Sequence, residues 1–175
     1  PAVLDTVVRP THPNALTAKR ECTMEESYGG GAVNVSRSIQ QYGGTAMADF
    51  LVGADSYGKL MREDLSEEFQ HSRCVCAYPQ SRRSHIHIGG TTYTARPPLT
   101  LTRLPDHCRQ RVTENRVTVV GALTPDDHDF TAEALSEARF GIWVPSAAQL
   151  SETRSAPRLM QLAQVTVMND EEARV

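Results

Sequence analysis

The chain has 175 residues, of which 39% are hydrophobic and 22% charged, a composition that suits one globular domain or a large part of one. Its formal charge of -3, its pI near 6.1 and its scattered arginines argue against nucleic acid or an anionic membrane as a partner. Neither a membrane-spanning run of apolar residues nor a signal-peptide pattern is visible, so we expect a cytoplasmic protein.

The opening segment, residues 3–27, is predicted to be extended because it is rich in β-branched residues and contains two prolines. Asp5 stands at the end of its first apolar run. We expect this carboxylate to lie where a core strand meets a smaller sheet.

The stretch YGGGAVNVSRSIQQYGG, residues 28–44, begins with three consecutive glycines and continues with a helical pattern. Its apolar positions recur at helical spacing: Ala32, Val35, Ile39 and Tyr42. Gly43 then acts as a stop signal, which predicts an amphipathic helix of about three turns. Residues 45–53 predict a buried strand, and Ser56 is placed to cap a second helix.

Residues 83–94, RSHIHIGGTTYT, alternate isoleucine with histidine and contain a Gly-Gly turn. This pattern predicts a β-hairpin with one polar face, which interrupts the alternation of helices and strands. We expect the hairpin to join the opening segment in a small sheet outside the main one.

Three further apolar strands are predicted at residues 115–121, 140–145 and 165–168, with helical patterns between them at residues 127–138 and 157–163. Strands that alternate with helices imply βαβ units. The predicted fold class is therefore α/β, a parallel-sheet core flanked by helices with a small β sheet beside it.

The four cysteines contain no C-x-x-C pair and do not resemble a secreted disulfide framework, so we interpret them as reduced. Cys74 and Cys76 lie two apart on a predicted strand, where we expect both to pack as small buried side chains.

In an open α/β sheet, ligands bind beyond the carboxyl ends of the strands. Four features occupy such positions: Asp5, the glycines with Asn34, Asp55 and Asn169. The glycine stretch is not a dinucleotide fingerprint, because Asn34 replaces the last glycine, and the chain has no P-loop lysine motif. It offers a helix N-terminus that suits a polyhydroxylated ligand. The alternative is a flexible loop with a solvated Asn34.

The segments GGGAVNVSRSIQQYGG and FLVGADSYGKLMREDL resemble the ribokinase/PfkB family of sugar kinases. In that family a Gly-Gly-Lys-Gly-x-Asn loop opens a helix, and a Val-Gly-x-Asp-x-x-Gly segment follows the next strand. VTVVGALTP is similar to the family's strand ending in Ser-Gly-x-Leu-Pro, and VMNDEEA to its Asn-x-x-Glu motif. PAVLDTVV and RSHIHI resemble strands of the subgroup with 1-phosphofructokinase and tagatose-6-phosphate kinase. The matches cover residues 1–175 in family order, which identifies a partial ribokinase-like domain.

This resemblance implies a kinase that transfers a phosphoryl group from ATP, with Mg2+, to a hydroxyl of a sugar or sugar derivative. It implies that Asp5 and Asn34 bind sugar hydroxyls. It also implies that Gly30 and Gly31 let the backbone approach the sugar.

The remaining family positions carry further implied roles. Asp55 would bind the substrate or close its loop over it, and the alternative from the residues alone is that it only caps a turn. Arg83 would face the ligand from the lid, where it could hold a sugar phosphate. Asn169 and Glu172 would lie near the Mg2+ and the nucleotide phosphates, with no metal bound directly by the protein.

The small sheet would correspond to the family's β-sheet lid, with lid strands at approximately residues 5–27 and 83–95 inserted in the α/β core. The lid often forms a dimer interface in this family, so a homodimer is a further expectation.

Two departures from the family pattern shape the functional prediction. Gly31 stands where the family commonly has Lys, and Ala32 where it has Gly, so the loop lacks a cationic phosphate contact. The family's catalytic Asp lies in a Gly-Ala-Gly-Asp motif after the Asn-x-x-Glu strand, and this motif does not occur here. We therefore expect no catalytic residue in this chain and an ATP-binding C-terminal portion outside it.

Two alternatives stay open from the residues. One is a non-catalytic sugar- or nucleoside-binding module, or a degenerate kinase. The other is a zinc site begun by His85 and His87 with His107, Cys108 or His128, although no second pair has convincing ligand spacing and surface histidines are the preferred interpretation.

Overall fold

The computed structural model describes residues 1–10, 22–87, 92–101, 103–121, 127–152, 154–170 and 172–174. None of the helices within these ranges combines the length and apolarity that crossing a membrane requires.

The described residues form nine strands: β1 (Val3–Pro10), β2 (Cys22–Gly29), β3 (Asp49–Gly53), β4 (Arg73–Tyr78), β5 (Arg82–His87), β6 (Thr92–Ala95), β7 (Thr118–Gly121), β8 (Gly141–Val144) and β9 (Val165–Thr166). The helices are α1 (Gly31–Gln41), α2 (Ser56–Glu68), α3 (Asp106–Glu114), α4 (His128–Glu137), α5 (Ala147–Glu152) and α6 (Ala156–Leu162), followed by a short 3-10 helix, Glu172–Arg174.

The strands form three sheets, and the fold class is α/β as the alternating pattern predicts. Two sheets are parallel, with strand orders β3-β4 and β7-β8-β9. Helices connect consecutive strands of these sheets, because parallel neighbours need a crossover between them. The carboxyl ends of β3 and β7 are Gly53 and Gly121.

The third sheet joins the opening segment to the hairpin in the order β2-β1-β5-β6. β1 pairs antiparallel with β2 and parallel with β5, and β5 pairs antiparallel with β6. The register places Asp5 beside Ser84. The predicted Gly-Gly turn between β5 and β6 lies outside the described residues.

Two apolar clusters hold the helices against the strands. One contains Trp143 and Leu135, which are each 1% exposed. The other contains Phe50 and Phe69, whose ring centroids are 5.2 Å apart. Short helices gain most of their stability from burying apolar side chains in clusters such as these two.

Helix α1 confirms the predicted helix but not its buried face. Val33 and Ser36 are buried, whereas Ile39 is 37% and Tyr42 88% exposed. Residues from the predicted apolar face of α1, including Ala32 and Ile39, line an open apolar groove of about 300 Å³ that residues of β3 and β7 also line. The apolar stripe therefore faces this groove and not a closed core.

The predicted burial of the cysteine pair is wrong for Cys76. Strand β4 turns Val75 and Ala77 into the core, so its alternate positions face outward. Cys76 is exposed and Cys74 is half-buried, and burial raises the pKa of the Cys74 thiol to about 11. All four cysteines are free, in agreement with the reduced state expected from their spacing.

Candidate functional site

A cavity of about 220 Å³ opens where the four-stranded sheet meets the N-terminus of α1; we call it the Asp5 cavity. Its lining residues are Pro1, Val3, Asp5, Gly30, Gly31, Arg82, Ser84, Thr94, Arg96 and Ser146. Successive strand residues point to opposite faces, so alternate residues of β1 and of β5 reach the same cavity. The cavity thus combines one carboxylate, three hydroxyls and two guanidinium groups.

Asp5 is the acidic group of this cavity. Partial burial raises the pKa of its carboxyl group above 3.8, and a hydrogen bond from the Ser84 side chain opposes that rise. The Ser84 and Thr94 hydroxyls are 3.2 Å apart across β5 and β6. The carboxylate accepts hydrogen bonds and the two hydroxyls both donate and accept them, so together they suit a polyol ligand.

Two of the three consecutive glycines are required for this geometry. Gly30, the N-cap of α1, has a φ of 94°, and a Cβ there would lie 2.4 Å from the Pro1 carbonyl oxygen. A Cβ on Gly29 would lie 2.2 Å from Oδ2 of Asp5. Gly29 therefore leaves room for the Asp5 carboxylate. Sequence reasoning missed that role, although the run of three glycines was the available signal.

Arg82 is the buried cation of the cavity, with a side chain only 5% exposed. Its Nη2 donates to Oδ2 of Asp127 at 3.5 Å, and its guanidinium carbon lies 4.8 Å from the centroid of the Tyr78 ring. Burial lowers the pKa of Arg82, and the nearby Tyr78 and Asp127 oppose this shift. The ion pair with Asp127 stabilises the charged Arg82 guanidinium where solvent barely reaches it.

Arg83 lies outside the lining of the cavity. Its guanidinium carbon lies 4.8 Å from the centroid of the Tyr57 ring on α2. Strand alternation explains the difference, because Arg82 and Ser84 reach the cavity and the residue between them cannot. The arginines that line the cavity are Arg82 and Arg96, and neither was singled out from the sequence.

Asn34 lies in the first turn of α1 with an exposed side chain and is not among the residues that line the cavity. Its backbone N–H donates to the Gly30 carbonyl at 3.0 Å. Within the described part of the chain, no side chain caps α1 at Gly30. The first backbone N–H groups of this helix are therefore available to a ligand.

Asp55, and not Ser56, is the N-cap of α2. Its Oδ1 accepts from the Gly58 backbone N–H at 3.0 Å and from the Ser81 hydroxyl at 2.5 Å. Its Oδ2 accepts from the Ser81 backbone N–H at 3.1 Å. Burial by itself raises the pKa of Asp55, but the hydrogen bonds from Ser81 and Gly58 outweigh it and hold this pKa below 3.8.

Asn169 and Glu172 bind each other beyond β9. The Asn169 N–H donates to Oε2 of Glu172 at 2.9 Å, and the Glu172 N–H donates to Oδ1 of Asn169 at 2.8 Å. This reciprocal pair is a capping box at the start of the short 3-10 helix. Two of the side-chain oxygens expected near the nucleotide are thus engaged within the motif itself.

The side chains of His85 and His87 lie outside the described residues. Among the side chains that are described, no group of three or more His, Cys, Asp or Glu residues is arranged to hold a metal ion.

The cavity therefore brings together three of the residues predicted from the sequence: Asp5, Gly30 and Gly31. The other predicted residues stand apart from its lining: Asn34, Asp55, Arg83, Asn169 and Glu172. Further residues of the cavity escaped sequence reasoning because only the tertiary structure brings them together: Arg82, Ser84, Thr94, Arg96 and Ser146.

A family model described as pfkB family carbohydrate kinase matches residues 3–175. Comparison with curated proteins gives no significant match.

Similar solved structures include three kinases. Fructokinase with bound ATP from Xylella fastidiosa is 16% identical with a TM-score of 0.68, over 94% of this chain and 57% of that one. Burkholderia thailandensis nucleoside kinase in complex with inosine is 18% identical with a TM-score of 0.66, over 99% of this chain and 58% of that one. Phosphofructokinase-2 from Escherichia coli, in complex with substrates and products, is 19% identical with a TM-score of 0.59, over 99% of this chain and 64% of that one. The chain thus spans about three fifths of the length of these proteins, and identities this low show the fold alone.

Proposed function

The chain belongs to the pfkB family of carbohydrate kinases, and we propose that the complete enzyme transfers a phosphoryl group from ATP to a hydroxyl of a sugar or sugar derivative. In this proposal the chain supplies the sugar-binding site and the lid. The ATP-binding portion and the general base belong to a C-terminal portion outside residues 1–175, because the family's Gly-Ala-Gly-Asp motif does not occur within them.

The single observation that supports this proposal most strongly is the placement of Asp5 against the glycine backbone in one cavity. The carboxylate accepts hydrogen bonds from sugar hydroxyls. Gly30 and Gly31 allow the backbone to come close to the ring, and Asn34, in the first turn of α1 but outside the lining of the cavity, is proposed to bind a further hydroxyl. Because phosphoryl transfer depends on positioning the acceptor hydroxyl, such a rigid set of hydrogen-bonding groups is what this half of the site must supply.

ATP and Mg2+ are proposed as partners of the complete enzyme. The described residues contain no cluster that fits a metal ion, and two hydrogen-bonding oxygens of Asn169 and Glu172 are engaged with each other. Asn169 and Glu172 are proposed to lie near the metal and the nucleotide in the complete site.

The four-stranded sheet is proposed to act as the lid, because β1 and β5 form one wall of the Asp5 cavity. Its strands β2 and β6 expose large apolar side chains, with Met24 67% and Tyr93 64% exposed. We propose a homodimer that covers this sheet, and a cytoplasmic location.

The test begins with the intact mass of the purified polypeptide, compared with the 19.3 kDa of this chain. The complete protein is then assayed for ADP release with ATP, Mg2+ and one of three acceptors: fructose, fructose 6-phosphate or inosine. The expected result is ADP release that depends on one of these acceptors. Acceptor binding without ADP release would overturn the kinase proposal in favour of a binding module.

The site assignment is tested in the same protein with Asp5→Ala and Asn34→Ala. Removing a hydrogen bond to a charged group costs about 1.5–3 kcal/mol, so Asp5→Ala should raise the dissociation constant of the acceptor roughly 10- to 100-fold. Asp129→Ala is the matched control, because this aspartate is 82% exposed on α4. Unchanged affinity in both site variants would refute the assignment.

A further inference from the structure

We propose that Asp55 is a positioning residue that fixes the lid strand β5 against α2 and thereby sets where Arg82 and Ser84 meet the ligand of the Asp5 cavity. The inference rests on the proposed function, since the ligand of the cavity is a sugar. It differs from both roles that the family resemblance implies for Asp55, which are binding the substrate and closing the loop over it.

Three segments meet at the Asp55 carboxylate: the end of β3, the first turn of α2 and the residue that precedes β5. Asp55 accepts one hydrogen bond from Gly58 on α2 and two from Ser81, at distances of 2.5–3.1 Å. Ser81 is 2% exposed. We call this group of Asp55, Gly58 and Ser81 the Asp55 clamp.

Backbone packs closely against backbone around the Asp55 clamp. A Cβ on Gly53 would lie 2.1 Å from the Ser81 nitrogen, and a Cβ on Gly58 would lie 2.0 Å from the Gly53 carbonyl oxygen. The Ala54 N–H also donates to the Tyr78 carbonyl at 2.9 Å. Two glycines of the Val-Gly-x-Asp-x-x-Gly segment therefore allow backbone to rest on backbone, and Asp55 links these segments electrostatically.

The Asp55 clamp is connected to the cavity by one peptide bond. Ser81 directly precedes Arg82, and the register of β5 on β1 pairs Val3 with Arg82 and Asp5 with Ser84. A displacement of Ser81 would therefore move the β5 side of the cavity relative to Asp5.

A second tie joins the same two elements. The Arg83 guanidinium lies over the Tyr57 ring of α2, so β5 is held to α2 both before and after Arg82. This cation–π contact joins two half-buried side chains and is a single interaction, whereas Asp55 accepts three hydrogen bonds of the stronger, charge-assisted type. We assign the main positioning effect to Asp55.

The distinction between positioning and direct contact rests on two observations. Asp55 is not among the lining residues of the Asp5 cavity. Both of its carboxylate oxygens already accept hydrogen bonds from the chain itself. A residue that acts in this way should change acceptor affinity only through Arg82 and Ser84.

The experiment uses the complete protein and compares Asp55→Asn with the wild type. Asparagine is a good N-cap, so Asp55→Asn preserves the cap of α2 through the remaining oxygen but places an amide NH2 against the Ser81 N–H donor. Asp129→Asn serves as the matched control on an exposed aspartate. Acceptor affinity is measured by titration with fructose, fructose 6-phosphate and inosine, and the mobility of β5 by amide hydrogen exchange.

The expected result is that Asp55→Asn weakens binding of the acceptor by about tenfold, because a shift of Arg82 and Ser84 weakens their contacts with the ligand, and about 1.4 kcal/mol of lost contact corresponds to a factor of ten. Its melting temperature should fall by only a few degrees, because the cap of α2 is kept while the Ser81 N–H loses its acceptor, and exchange should accelerate at β5 more than elsewhere. Adding Asp55→Asn to a Ser84→Ala protein should then weaken binding by less than it does alone.

Three outcomes would overturn the inference. One is weaker binding with unchanged exchange at β5, which would mean direct contact between Asp55 and the acceptor. Another is faster exchange at β5 with unchanged affinity, and the third is no change in either. If the wild type binds none of the three acceptors, the proposed function fails for them, and unchanged exchange at β5 in Asp55→Asn would still refute the Asp55 clamp.

Discussion

Replacing Gly29 by alanine should damage ligand binding with little effect on stability. The added Cβ would lie 2.2 Å from Oδ2 and 3.3 Å from Cγ of Asp5, so the carboxylate must swing out of its position. The Asp5 carboxylate can move aside by rotation of its side chain, and Gly29 does not have a positive φ. The free energy of unfolding should therefore fall by less than about 1 kcal/mol. The displaced carboxylate loses charge-assisted hydrogen bonds of about 1.5–3 kcal/mol, which corresponds to a roughly 10- to 100-fold loss of affinity.

Gly43→Ala is the matched control for this prediction. Gly43 has a φ of 77° with no other atom within 4 Å of the added Cβ, and it lies just beyond α1, away from the lining of the Asp5 cavity. This variant should be destabilised by about 1–2 kcal/mol through backbone strain and should bind normally. Urea denaturation measures stability, and titration of the complete protein with the acceptor measures affinity. Normal affinity in Gly29→Ala would refute the assignment of Asp5 to the ligand.

Three further predictions concern charged groups of the site. Asp127→Asn leaves the buried Arg82 without its ion partner and should reduce the free energy of unfolding by about 3–5 kcal/mol. The double variant Arg82→Met with Asp127→Leu replaces the ion pair by apolar side chains and should recover most of this loss. Urea denaturation measures both effects. Because the native pKa of Asp5 lies above its unfolded value near 3.8, ionisation of Asp5 lowers stability as the pH rises through the native pKa. Asp5→Asn should therefore stabilise the protein at pH 7, and this gain should vanish below about pH 3.8, where both states are protonated. Arg83→Ala should cost about 0.5–1 kcal/mol by loss of its contact with Tyr57, and a large rise in the KM for the acceptor would contradict the placement of Arg83 outside the cavity.

Much of the fold follows from short-range patterns in the chain. The glycines ahead of a helical period predict α1, and alternating apolar segments predict the strands and the α/β class. These patterns distinguish helices from strands because side chains return to the same face about every 3.6 residues in a helix and every 2 residues in a strand. They fail at element edges and faces, as with Ile39 and Tyr42 on α1, because burial depends on which distant segment covers a face.

Some residues of the candidate site can likewise be identified from sequence motifs, whereas the contacts of others depend on the tertiary structure. Family motifs in the sequence identify Asp5, Gly30 and Gly31, since each is marked by its neighbours along the chain. The motif around Asp55 is also visible in the sequence, but its carboxylate is seen to bind Ser81 only when two segments 26 residues apart meet.

What the sequence by itself determined is the class of fold, the family and a short set of polar residues at strand and helix ends. The tertiary structure alone decided which side chains share the Asp5 cavity. Parallel pairing of β1 with β5 sets a register that turns Arg82 and Ser84 toward Asp5 and turns Arg83 away. A shift of one residue would reverse this choice, because side chains alternate across a strand and register is set by contacts between distant segments.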